Sequence, residues 1–249
     1  MRPVLAKIKP VSGFASFFHY GLLVALPLVV FLLIRLQFVQ LAFIIIVLSK
    51  WRMFAVRPRF WLANIRANAV DLMVGLSIVL FMNHSASLGV QFLWAVAYGA
   101  WLIYLKPATG TFMISTQAGV AQLLALMALY ASWANGPIYG LTLLTGLICF
   151  LAARHFFDSF DETYVKLVSY MWGYFGAALA WVLCHWLLFY GFLGQPTLLL
   201  STIGYGLAVL YYFDHNDRLS NVLKRQFIFI MIAIILVVLT FSDWGDKVV

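Results

Sequence analysis

Charge is what this sequence has least of. Only 10% of its 249 residues are Asp, Glu, Lys or Arg, while 65% are hydrophobic. A soluble domain averages about 25% charged residues, so water cannot be the solvent for most of this surface. Carboxylates are scarcer than cations, eight against sixteen. Cysteine occurs only as Cys149 and Cys184, which the topology below places in opposite leaflets, so no disulfide is expected. Motifs that name a chemistry are also missing: there is no Gly-x-Ser-x-Gly, no His-Glu-x-x-His, no set of histidine boxes and no P-loop. The late lysines Lys166, Lys224 and Lys247 stand at span boundaries, which excludes a retinal Schiff base. No charge falls at mid-membrane, which disfavours a proton-driven carrier built on a buried carboxylate.

Long apolar runs are what the sequence has instead. An apolar helix of about 20 residues crosses a hydrocarbon core of about 30 Å, and shorter runs can do so with adjustment at their ends. That rule gives about nine spans, at 16–33, 38–55, 68–82, 90–105, 111–132, 137–153, 167–189, 197–213 and 226–241. The expected fold is therefore all-α: a polytopic transmembrane helix bundle forming one integral-membrane domain over 1–249, its first span uncleaved. Residues 21–49 are nearly continuous, and a tight hairpin that keeps Arg35 at a membrane surface is preferred to one long helix that would bury it.

Basic residues set the orientation. The stretch Lys50–Arg66 holds five cations, no carboxylate and a tryptophan near each flank, as a cytoplasmic loop should. With the N-terminus cytoplasmic, Arg2, Lys7, Lys9, Lys50, Arg52, Arg57, Arg59, Arg66, Lys106, Arg154, Lys166, Arg218, Lys224 and Arg225 fall inside, and only Arg35 and Lys247 outside. This split puts the C-terminus outside and points to a bacterial cytoplasmic membrane. The net charge of +8 is thus one of orientation and not of nucleic-acid binding, since the basic residues form no separate domain. The expected partners are the lipid bilayer and a protein at the basic cytoplasmic face. Trp51, Trp61, Trp133 and Trp244 read as interfacial anchors.

Four groups of residues are candidates for function. Asn64, Asn68, Asp71 and Gly75 share one helical face at the start of the third span, with Asp71 either a substrate group or an interfacial aspartate paired with a nearby arginine. Thr111, Ser115, Gly119 and Gln122 form a small, polar stripe on the fifth span, either lining a substrate cavity or joining helices; Gln117, off that face, reads as interhelical glue. His155, Asp158 and Glu162 with Asp214 and Asp217 of a later loop form a metal-ligand set for a divalent cation such as magnesium, or else solvated faces and a helix cap at Asp217. Small pairs four apart, Gly173 with Ala177, Gly176 with Ala180 and Gly204 with Ala208, mark close helix packing.

The motifs Asn64-x-x-x-Asn68-x-x-Asp71 and Asp158-x-x-Asp161-Glu162 follow spans two and six. In this placement over about a dozen residues the chain resembles UbiA-type prenyltransferases, nine-span proteins with aspartate-rich cytoplasmic motifs. The first motif departs from that pattern, with one aspartate where the family has two. The resemblance implies magnesium and a lipid-linked phosphate at the cytoplasmic face. Three functions follow as expectations: a small-solute or lipid permease using Asp71, Asn68, Ser115 and Gln122; a membrane-embedded transferase using Asp71, Asp158 and Asp161; and a non-catalytic membrane subunit presenting its basic face. The short loops rank the first ahead of the others.

Overall fold

The computed structural model describes residues 13–160, 162–186, 189–190 and 193–242. Arg2, Lys7, Lys9, Asp161, Trp244 and Lys247 lie outside these residues. The described chain is almost wholly helical, in the order α1 (Gly13–Arg35), α2 (Val39–Leu48), α3 (Trp61–Ala67), α4 (Ala69–His84), α5 (Leu88–Ala100), α6 (Thr111–Trp133), α7 (Ile138–Phe157), α8 (Val165–Leu183), α9 (Gln195–His215) and α10 (Asn221–Thr240). One two-stranded hairpin, β1 (Phe189–Tyr190) against β2 (Leu193–Gly194), precedes α9.

Each apolar run of the sequence holds a helix, and among the described residues six helices are long and apolar enough to cross a membrane. These are α5 with its extension to Leu105, α6, α7, α8 with its extension to Trp186, α9 and α10. A seventh is obtained if Pro58–Ala67 and Ala69–His84, bent by 67° from each other, are counted as one span. The apolar stretches Tyr20–Arg35 and Val39–Leu48 are shorter. The expected span over 38–55 ends early because 3-10 turns at Trp51–Met53 and Pro58–Phe60 replace the helix after Leu48. At 1.5 Å per residue, α2 is about 15 Å long, half of a hydrocarbon core.

The tight hairpin at Arg35 is present and its geometry explains it. The Phe38 N–H donates to the Leu33 carbonyl and the Gln37 N–H to that of Ile34, with Gln37 at a φ of 63°. These bonds close the end of α1 as a Schellman motif, so the helix stops where the charge begins. Arg35 then donates to the Gln91 side chain at 3.5 Å.

Two packed halves share α6. On one side Val30, Ile34, Ile46, Val74, Ile78 and Tyr98 join α1, α2, α4 and α5 to it. On the other, Leu126, Tyr130, Leu141, Cys149, Ala180 and Leu200 join α7, α8 and α9. Both cysteines are free thiols. The small-residue pairing shows in α7 and α8: a Cβ on Gly173 would lie 2.9 Å from the Phe150 Cβ and 3.0 Å from the Gly146 carbonyl oxygen. Helix α10 packs on α9 through Met231 at Gly206 but is only 6% buried over its apolar window.

Candidate functional site

The carboxylate of Asp71 is the centre of a charged cluster at one end of the bundle. It accepts from the Lys50 ammonium at 2.8 Å and the Lys106 ammonium at 3.0 Å, both on Oδ2, and from Trp101 Nε1 on Oδ1 at 3.2 Å. The sequence expectation of an arginine partner is corrected to two lysines. The arginines nearest in sequence belong to α3 and the 3-10 turns, which bend away from α4, whereas Lys50 follows α2 directly.

Local backbone geometry explains how residues 101 and 106 reach one carboxylate. Five residues apart, they would point about 140° away from each other on a regular α-helix. Here α5 continues into a π-helical turn over Trp101–Leu105, with the Lys106 N–H bonded to the Trp101 carbonyl at 2.9 Å. A π turn stacks i over i+5, so both side chains fall on the Asp71 side. Nothing in the hydropathy pattern of 90–105 signals this turn.

Lys50 is 8% exposed and stands two residues beyond α2, outside the helical spans. Burial pulls its ammonium down from 10.5 to about 8, while the Asp71 carboxylate holds it up and Lys106 lowers it further. A base whose folded value lies below its unfolded one binds fewer protons when folded, so stability rises with pH between the two values. Between about 8 and 10.5 the unfolding free energy should therefore rise, by at most about 1.4 kcal/mol per unit. Thermal unfolding in detergent across that window should show the rise, and Lys50→Met should lack it.

Of the other residues expected on this face, Asn64 and Asn68 do not continue the α4 stripe. The chain bends 67° at Asn68, where its side-chain amide donates to the Asn64 carbonyl at 2.9 Å. Asn64 donates to the Met53 carbonyl at 3.4 Å, tying the loop to α3. Gly75 does face inward with Asp71, against Ile46 and the Tyr98 hydroxyl.

The stripe on α6 divides. Ser115 donates to the Thr111 carbonyl of its own helix at 2.7 Å, and a Cβ on Gly119 would meet nothing within 4 Å. Gln122 is buried and joins three helices: it donates to the Leu200 carbonyl at 3.2 Å and accepts from Trp172 Nε1 at 3.0 Å. Gln117 is the glue expected of it, donating to the Leu105 and Ala108 carbonyls at 2.5 and 3.1 Å and meeting His155 Nε2 at 3.1 Å. Removing the Gln122 amide leaves the Trp172 indole N–H unpaired, so Gln122→Leu should cost about 1 kcal/mol in unfolding free energy.

The expected metal set does not come together. Among the described residues no three His, Cys, Asp or Glu side chains are placed to hold a metal ion. His155 is held by Gln117, Asp158 pairs with Arg154 at 3.3 Å, and Glu162 accepts from the Tyr211 hydroxyl. Asp217 does not cap the following helix. It takes a φ of 53° at the end of α9, where the Arg218 N–H reaches the Phe213 carbonyl, and Ser220 caps α10 through the Leu223 N–H. Asp214 sits in the last turn of α9 and its carbonyl accepts from Asp217. With Asp71 also held by two lysines, these residues do not fit a magnesium diphosphate site.

Four buried polar atoms that sequence reasoning missed lie toward the opposite end. Thr142 Oγ1 of α7 and Gln195 Oε1, Thr197 Oγ1 and Ser201 Oγ of α9 have no hydrogen-bond partner. Thr197 and Ser201 are four apart, so they share a helical face, the one sequence signal that could have found them. The Gln195 amide nitrogen is engaged with Ser242 at 2.7 Å.

Comparison with known proteins gives this chain no relatives to borrow from: no family model, no curated protein and no solved structure matches it.

Proposed function

We propose that this chain is a translocator for a small solute or a lipid, embedded in a bacterial cytoplasmic membrane with the Lys50–Asp71–Lys106 cluster at the cytoplasmic face. The observation that carries this reading is the unpartnered polar group at Thr142, Gln195, Thr197 and Ser201. A buried hydroxyl or amide oxygen without a partner costs about 1–3 kcal/mol, and groups kept at that cost are suited to a passing ligand or to water.

Polar side chains are buried at successive depths along the bundle. From one end they run through Gln195, Thr197 and Ser201, then Gln122 with Trp172, then Gln117 with His155, to Asp71. The charged cluster at the last position acts as a gate in its closed state. Its three elements, the segment after α2, the start of α4 and the π turn after α5, are held by one carboxylate and separate when it is released.

Ser201→Ala combined with Thr197→Val tests this in proteoliposomes. The hydroxyls have no partner to lose, so the unfolding temperature should hold or rise. Translocation, read as glycerol-driven vesicle swelling and as dithionite quenching of a fluorescently labelled phospholipid, should fall at least about tenfold in whichever assay the wild type passes, as for the loss of one directed polar contact. Wild-type flux no greater than that of empty liposomes in both assays contradicts the reading.

A further inference from the structure

The segment between α2 and α4 carries a second surface, independent of the translocation reading. Among its five cations only Lys50 is drawn into the bundle. Arg52, Arg57, Arg59 and Arg66 are exposed, and the ion pairs of the described residues, at Asp71 and Asp158, include none of them. No carboxylate lies within the segment to neutralise them.

Large apolar side chains are exposed on this same stretch: Trp51, Phe54, Phe60, Trp61 and Leu62. In water such a patch would be a liability; at a membrane boundary it is where amphipathic rings settle. The backbone holds the two kinds of side chain at one level. Met53 is buried as an anchor, Asn64 donates to its carbonyl, and Trp61 Nε1 donates to the Val56 carbonyl at 3.0 Å. Phe54 packs edge-on against Trp61 at 5.6 Å, and the Arg59 guanidinium stands 4.6 Å over the Phe60 ring. The 67° bend at Asn68 turns Pro58–Ala67 away from the α4 axis. If α4 is the membrane-crossing member of this bent pair, Pro58–Ala67 runs closer to the membrane plane than to its normal, which brings Arg59 and Arg66 to headgroup depth.

We infer that residues 51–66 form a collar that binds the phosphates of anionic phospholipids, of the phosphatidylglycerol class, in the leaflet at the Asp71 end. A preference for cations on one side of a membrane needs only charge. Here the cations are interspersed with exposed aromatic residues on a segment bent away from the α4 axis, and this is the pattern of a lipid surface site more than of a soluble protein partner.

The test uses the full chain purified in detergent, titrated with phosphatidylglycerol or phosphatidylcholine and read by native mass spectrometry. The wild type should retain phosphatidylglycerol in preference to phosphatidylcholine. The triple variant R52Q/R57Q/R59Q should lose that preference by at least about tenfold, at roughly fivefold per arginine. Its unfolding temperature without added lipid should change little, since these side chains make no ion pair and the Arg59–Phe60 contact is exposed. A control of equal charge, R218Q/K224Q/R225Q, removes cations at the same end of the bundle but outside the collar and should keep the preference. Equal retention of the two lipids by the wild type overturns the inference, as does an equal loss in the control, which would make net charge sufficient.

Discussion

Asp71→Asn should destabilise the protein by about 3–5 kcal/mol, the cost of breaking a buried ion pair from one side. The substitution keeps the shape but removes the carboxylate that, among the described residues, pairs with both the Lys50 and Lys106 ammoniums, which reach the same oxygen within 3.0 Å. Lys50 is almost fully buried and cannot turn to water, so without Asp71 it must either keep an unpaired charge beside Lys106 or give up its proton, and both are costly. The paired variant separates this mechanism from simple loss of packing. Adding Lys50→Met to Asp71→Asn removes the uncompensated charge and should recover part of the loss, so that the two changes are non-additive by at least about 1 kcal/mol. Urea or thermal unfolding in detergent reads both. If the single variant costs under about 1 kcal/mol, the pair behaves as a solvated surface bridge and the cluster is not structural.

Gly173→Ala should cost about 1–3 kcal/mol although it adds a single methyl group. Its Cβ would stand 2.9 Å from the Phe150 Cβ and 3.0 Å from the Gly146 oxygen, and neither atom is the end of a flexible side chain. Only a separation of α7 from α8 relieves the overlap. The facing position is equally tight, since a Cβ on Gly146 would lie 3.0 Å from the Ala177 Cβ. Gly119→Ala is the matched control on α6, where a Cβ meets nothing within 4 Å. There the better helix propensity of alanine should leave stability unchanged or raise it by about 0.5–1 kcal/mol. Measured side by side, the two variants should shift the unfolding temperature in opposite directions or leave Gly119→Ala flat.

These contrasts show what was legible in the sequence. Helix position was, because apolar length is local: 111–132 became Thr111–Trp133, and Arg35 ended α1 at a tight turn. Helix extent failed at 38–55, where Trp51 and Phe54 score as apolar but belong to an exposed segment of 3-10 turns. The role of Gln117 was legible from its isolation on its own face. That of Gln122 was open, since periodicity gives a face but not the neighbour, and Trp172 and Leu200 lie 50 and 78 residues away. Lys50 and Lys106 read only as topological charges. Their convergence on Asp71 depends on pairing distant segments and on a π turn that no pattern announces. The acidic residues of the expected metal set share an end of the bundle, but Asp158 pairs with Arg154, Glu162 with Tyr211, and Asp214 and Asp217 stand exposed.

If the helices cross a bilayer, the Asp71 cluster and the Gln195 group lie at opposite faces. Single cysteines test this directly, because the native Cys149 and Cys184 are buried and give a quiet background to a membrane-impermeant maleimide. Ala55→Cys and Asn216→Cys place exposed thiols at the Asp71 end, and Asn135→Cys places one at the other end. In sealed vesicles of one orientation, Ala55→Cys and Asn216→Cys should label from the same side and Asn135→Cys only from the opposite side. Labelling of all three from one side, without detergent, would contradict the account.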